Sequence, residues 1–211
     1  ARNAPPNLED ATYITVADGK TITITEEGVY VLSGTAANCT VKIEADKEAK
    51  IQLVLDGVTI TNDDFPAIYV VSADKVFATT TENSENTLTV TGTFKSDGST
   101  NTDAVIWSKE DLVLNGKGIL TVVSAKGNGI TSKDDLKVTG GTLSITSALD
   151  ALEANDSIAI YDGNITISSQ KDGLHAENED DDSLGYIWIG GGTLNVTAKS
   201  DGIQGTSFVQ I

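Results

Sequence analysis

The chain has 211 residues and a formal net charge of −17, with 31 Asp and Glu against 14 Lys and Arg. That balance excludes partners gripped through their phosphates, nucleic acid and anionic membranes alike, and makes cations the natural partners. Aromatic residues are only 5% of the chain, methionine is absent, and Gly, Thr, Ser, Asn and Asp are plentiful, so a single all-β body with a core of Ile, Leu and Val is expected.

Residues 1–10, ARNAPPNLED, read as a tail or linker, because Pro5 and Pro6 interrupt any strand ladder and the segment has neither the charged nor the apolar part of a signal peptide. No stretch approaches the roughly 18 consecutive apolar residues of a membrane span. Residues 11–211 read as one domain, with 11–60 as an N-terminal cap and first coils that cover edge strands. Through TITITEEGVYVLSGT and beyond, strand patterning persists, while the turns Thr81–Asn86 and Lys95–Thr102 project outward. Cys39 stands alone, which rules out an internal disulfide or a cysteine metal cluster and suits a small buried apolar residue.

From residue 103 to 211 the sequence repeats. Asp103, Asn128, Asp150, Asp172 and Asp201 open successive units at intervals of 25, 22, 22 and 29 residues, the last lengthened by one insertion. Each unit carries three short apolar alternations, for example Ile130, then Leu136 and Val138, then Leu143 and Ile145, separated by Gly, Asn and Asp. Three strands and three turns in about 22 residues predict a rung of a single-stranded parallel β-helix, with equivalent residues stacked about 4.8 Å apart. Interior columns are then Leu112, Leu136, Ile158 and Ile187; Leu114, Val138, Ile160 and Ile189; Leu120, Leu143, Ile165 and Leu194; and Val122, Ile145, Ile167 and Val196. The glycines before the third alternation, Gly116, Gly118, Gly140, Gly141 and Gly190 to Gly192, fit turns that need positive φ.

The unit-opening acids form a column at one corner. Asp before Gly is a common turn pair, and that is one reading of Asp172 and Asp201. Asp150, however, precedes Ala, so the acid persists without its turn partner. Two unit charges about 4.8 Å apart cost roughly 3 to 4 kcal/mol at an effective dielectric near 20, so either the carboxyls hold protons or a cation lies among them. A donor set of hard oxygens without a His or Cys cluster favours Ca²⁺, and the expected ligands are Asn128, Asp150, Glu153, Asp172, Glu177, Asp180, Asp181 and Asp201. Glu177, Asp180 and Asp181 come from the acidic insertion, HAENEDDDSLG. A solvated loop that only keeps the protein soluble is the competing reading there.

His175, the one histidine, has no nucleophile to serve and is read as lining the site. Lys126, Lys171 and Lys199 fall beside column members, where they either balance the acids or meet an anionic ligand. Gln204 faces out in register with His175, and Trp188, between Ile187 and Ile189, turns outward, where an indole stacks on a sugar ring or packs under the insertion. Trp107 reads as corner packing. The outward Thr121, Ser144, Thr166 and Asn195 lack the uniform threonine ladder of a flat ice-binding plate.

The stretches GVYVLSGT, LVLDGVTIT, PAIYVVSADKV, ENTLT, DALEAND, KDGLHAEN and SDGIQGT resemble the bacterial carbohydrate-binding-domain family of calcium-binding parallel β-helix proteins, similar to cell-surface proteins of cellulolytic bacteria that bind cellulose and acidic sugars. The resemblance implies a right-handed β-helix, bound Ca²⁺, secretion or surface attachment, and kinship in fold with pectate lyases, polysaccharide lyase family nine above all. In that lyase family, aspartate-bound calcium acidifies the proton beside a uronate carboxylate and a lysine removes it. The aspartates map onto Asp150, Asp172 and Asp201, and Lys171 or Lys199 is the nearest base. The expected function is therefore a secreted or surface, monomeric, non-catalytic binder of plant cell-wall glycans, cellulose and polygalacturonate among them. The alternative is a calcium-dependent pectate lyase.

Overall fold

A computed structural model of the protein describes residues 6–98 and 100–211. The first five residues of the expected tail lie outside that range. Among the described residues, twenty strands between Thr12 and Gln210 form two sheets, and every strand pair is parallel. The expectation of an all-β chain is met. No helix among the described residues is long and apolar enough to cross a membrane.

The expected single-stranded right-handed β-helix is corrected by the strand ladder. In a twelve-stranded sheet, the strands Lys50–Asn62, Lys75–Thr80, Asp111–Gly116, Asp135–Ser147, Ile119–Ser124 and Glu85–Val90 pair in that order, and the last returns to the first. This is a closed ring of six parallel strands, a small β-barrel in its pairing. Outer strands extend it on both sides, from Thr12–Thr15 to Val209–Gln210. Beside it lies a second, eight-stranded sheet running from Thr21–Ile24 to Ile203–Gly205.

The ring closes because a unit does not break into three strands. Asp135–Ser147 runs for 13 residues through both the second and third apolar alternations of its unit, and so pairs with Asp111–Gly116 at one end and Ile119–Ser124 at the other. Where a turn was expected, Gly140 and Gly141 lie inside the strand at a register shift against Ser157–Ser169. A bulge bends a strand without ending it, and the ladder passes round the corner.

The stacked interior follows the repeat. Leu112, Leu136, Ile158 and Ile187 are register partners across four strands, and all four are fully buried. Leu120, Leu143, Ile165 and Leu194 pair in the same way, as do Val122, Ile145, Ile167 and Val196. The second sheet supplies Ile106, Ile130, Leu152 and Leu174 to the same core. Each such side chain removed from water stabilises the fold by about 1.5 to 3 kcal/mol. Cys39 joins this core as a fully buried free thiol.

Candidate functional site

The unit-opening acids stand at the entry to the short strands of the eight-stranded sheet, and a hydrogen-bonded ladder joins them. Asn128 Oδ1 accepts the Asp150 amide, Asp150 Oδ1 accepts the Asp172 amide, and Asp172 Oδ1 accepts the Asp201 amide, each at 2.9 Å. Where a glycine follows a column member, at Gly129, Gly173 and Gly202, it has no positive φ. At Gly173 a Cβ would lie 2.4 Å from Val196 Cγ1 and 2.5 Å from the Gly202 carbonyl oxygen, so the residue is small because the next unit presses on it. Asp150 and Asp172 are buried, whereas Asp201 is exposed.

Asp150 is the most heavily engaged of the column. Its Oδ2 accepts from Lys171 Nζ at 2.8 Å and lies 3.3 Å from His175 Nδ1. Burial works against its charge, but the His175 contact, the Lys171 ammonium and the Asp172 amide outweigh it and hold the carboxyl below its ordinary range. The same Asp150 contact overcomes burial at His175 and raises the imidazole above its ordinary value. Lys171 shows the matching balance: burial lowers it, the Asp150 carboxylate raises it more, and the amine is held protonated. The cost expected from like charges in register is therefore met at Asp150 by the chain's own donors.

One row over, on the outward face, Thr131, Glu153, His175 and Gln204 are register partners. Glu153 Oε2 accepts from Asn128 Nδ2 and Thr131 Oγ1, both at 2.7 Å, and its Oε1 lies 3.6 Å from Lys133 Nζ. Asn128 is thus saturated by protein groups. Trp107 and Tyr69 continue the row, their rings 5.5 Å apart, so Trp107 packs on the sheet face and not at a corner.

Among the described residues, one group of three or more potential metal ligands converges: Asp150, Asp172 and His175, with one ligand atom from each lying within 4.8 Å of the others. His175 is 7% exposed and its Nε2 has no hydrogen-bond partner, with Glu177 Oε2 3.6 Å away. A buried nitrogen without a partner is the kind of group that water, an ion or a ligand completes. Two buried carboxylates, with Lys171 able to swing aside on a half-exposed side chain, fit a hard cation.

The other expected site residues are not gathered here. Asp180 and Asp181 give their amides to Asn178 Oδ1, and the Asp181 carboxylate accepts from Ser183, which keeps it below its ordinary range. Lys126 and Lys199 are exposed. Trp188 lies on the twelve-stranded sheet, apart from His175 and Gln204, with its ring 4.7 Å from Tyr161.

A second acidic corner escaped the sequence reading. Burial, then Asp111, then a side-chain hydrogen bond with Asp156 push Asp134 up to about 6. Asp156 also accepts from Asn178 Nδ2 and, through its carbonyl, from the Gly185 amide, so it holds both ends of the insertion. An acid raised in the folded state costs stability above its folded value and none once both states are protonated. Asp134→Asn is therefore expected to stabilise at pH 7.5, by about 1 kcal/mol after discounting for solvent screening, and to give no gain near pH 3. Urea unfolding at the two pH values checks this, and an equal gain at both would contradict it.

A family model described as carbohydrate-binding domain-containing protein matches residues 18–211. The chain belongs to this carbohydrate-binding domain family. It is 37% identical over 211 residues to a carbohydrate-binding domain-containing protein of Acetivibrio thermocellus, covering 99% of this chain and 73% of that relative. A solved structure, the gadolinium derivative of a polysaccharide lyase-like protein from C. thermocellum, superposes with a TM-score of 0.84 at 28% identity, over 94% of this chain and 99% of that one.

Proposed function

We propose that the protein is an exported or surface-displayed, monomeric, calcium-dependent binder of plant cell-wall polysaccharide, without catalytic activity of its own. The observation that carries this reading is the convergence of Asp150, Asp172 and His175 beside an outward row of polar side chains. Asp150 and Asp172 would hold the ion, with Asp201 at the exposed end. Bound there, Ca²⁺ supplies a positive charge that a uronate carboxylate can share in an otherwise acidic protein. His175 and Gln204 face the sugar, with Lys171 at the rim. Gadolinium, like calcium, is a hard cation that takes oxygen ligands, and the lyase-like neighbour was solved with it. Polygalacturonate is the glycan proposed for this corner; cellulose, the other glycan proposed for the protein, has no carboxylate to share the ion.

A lyase needs a neutral lysine to remove a proton. Lys171 is tied to Asp150 only while the site holds no ion, so product formation in the calcium-loaded protein is what separates binding from β-elimination. Co-sedimentation with polygalacturonate gel tests the reading. Chelation is expected to weaken retention at least 100-fold, with no rise in the ultraviolet absorbance of unsaturated ends. Retention indifferent to chelator would remove calcium from the reading, and a steady absorbance rise would make the protein a lyase.

A further inference from the structure

The outward face of the twelve-stranded sheet carries a row of a different character. Phe77, Val113, Lys137, Ala159 and Trp188 are register partners on five neighbouring strands. At about 4.8 Å per strand the row spans roughly 19 Å. Tyr161 is added to it by a bulge: Val138 pairs with Ile160 and Thr139 with Asp162, which leaves Tyr161 as the extra residue. Bulges re-aim side chains, and here the ring comes to rest 4.7 Å from Trp188 at 52°. Between Phe77, Val113, Lys137 and Tyr161 lies a cavity of about 270 Å³.

The charges on this face are balanced within the chain. Lys75 Nζ lies 2.7 Å from Asp111 and Lys137 Nζ lies 2.5 Å from Asp135, so each cation already has its acid. In a protein of net charge −17, neither lysine that lines the groove is left spare for a uronate. Aromatic rings beside paired charges suit an uncharged ring with an apolar face and a rim of hydroxyls.

We propose that this groove is a second glycan-binding surface, which takes the sugar rings of a neutral polysaccharide independently of calcium. The proposal rests on the reading of the protein as a polysaccharide binder and assigns the neutral polymer to a different face from the acidic one. Phe77 and Tyr161 supply the stacking surfaces, with Trp188 bracing Tyr161.

Depletion isotherms on insoluble cellulose and on polygalacturonate gel, each with calcium and with chelator, test it. Wild-type protein is expected to bind cellulose equally in both conditions. The double variant Phe77→Ala/Tyr161→Ala is expected to lose at least tenfold on cellulose and stay within twofold on polygalacturonate. The milder Tyr161→Leu, which keeps bulk but not the planar ring, is expected to lose severalfold, and thermal unfolding of each variant checks the fold. Cellulose binding that survives both variants, or that needs calcium, overturns the groove. Loss of calcium-dependent polygalacturonate binding alone overturns the acidic-corner reading and leaves the groove standing.

Discussion

Asp150→Ala is expected to lower the unfolding free energy by about 3 to 5 kcal/mol, the cost of breaking a buried ion pair from one side. Three donors lose their acceptor together: the Asp172 amide, Lys171 Nζ and His175 Nδ1. Asp150→Asn is expected to cost less, about 1 to 2 kcal/mol, because Asn128 already fills the preceding column position with its Oδ1 on an amide. Urea unfolding in chelator measures both without any contribution from a bound ion. If alanine costs no more than asparagine, the Oδ1 acceptor that asparagine keeps is idle in the fold, and if asparagine costs nothing, the charge is.

The pH dependence of the Asp150→Asn difference has a fixed sign. A carboxyl held low in the fold contributes stability above the ordinary carboxylate range and loses it as pH falls through its folded value. A raised imidazole contributes fully below its unfolded value and loses that contribution as pH rises through the folded one. The gap between wild type and variant is therefore widest between these two titrations and narrows on either side.

Gly116→Ala is expected to cost about 3 to 4 kcal/mol, from strain at a positive φ together with overpacking. Gly116 has φ +115°, and a Cβ there would lie 2.2 Å from the Thr80 carbonyl oxygen and 2.5 Å from the Thr80 nitrogen. Both are backbone atoms of the neighbouring strand, so relief requires the ladder itself to shift. Gly57→Ala separates the two effects, because Gly57 has φ +74° and no heavy atom within 4 Å of a Cβ. That change is expected to cost about 1 kcal/mol. In a chain of this size the Gly116 variant should melt about 10 °C lower, and equal losses at the two glycines would remove the close-contact explanation.

The sequence made the stacked columns legible because in-register aliphatics recur at nearly constant intervals, as Leu136, Ile158 and Ile187 do. It also brought Asp150, Asp172 and His175 to one corner. The ring closure was not legible: Gly140 and Gly141 carry the same signature whether the chain turns or a strand bulges through a corner. The Asp134 and Asp156 pair precedes the register of Leu136 and Ile158, so the repeat contained it, but nothing in the repeat shows that burial raises one of the two. Tyr161 was not legible either, because one extra residue in a strand reverses the face on which a side chain lies.

The ladder of side chains along the acid column also has a direction. Every acceptor in it serves the amide of the following unit, never of the preceding one. A lesion at one unit therefore exposes its successor and leaves its predecessor sealed. In amide exchange, the Asp172 hydrogen would be released by a change at residue 150 while the Asp150 hydrogen stayed protected, so the column behaves as a one-way latch between neighbours.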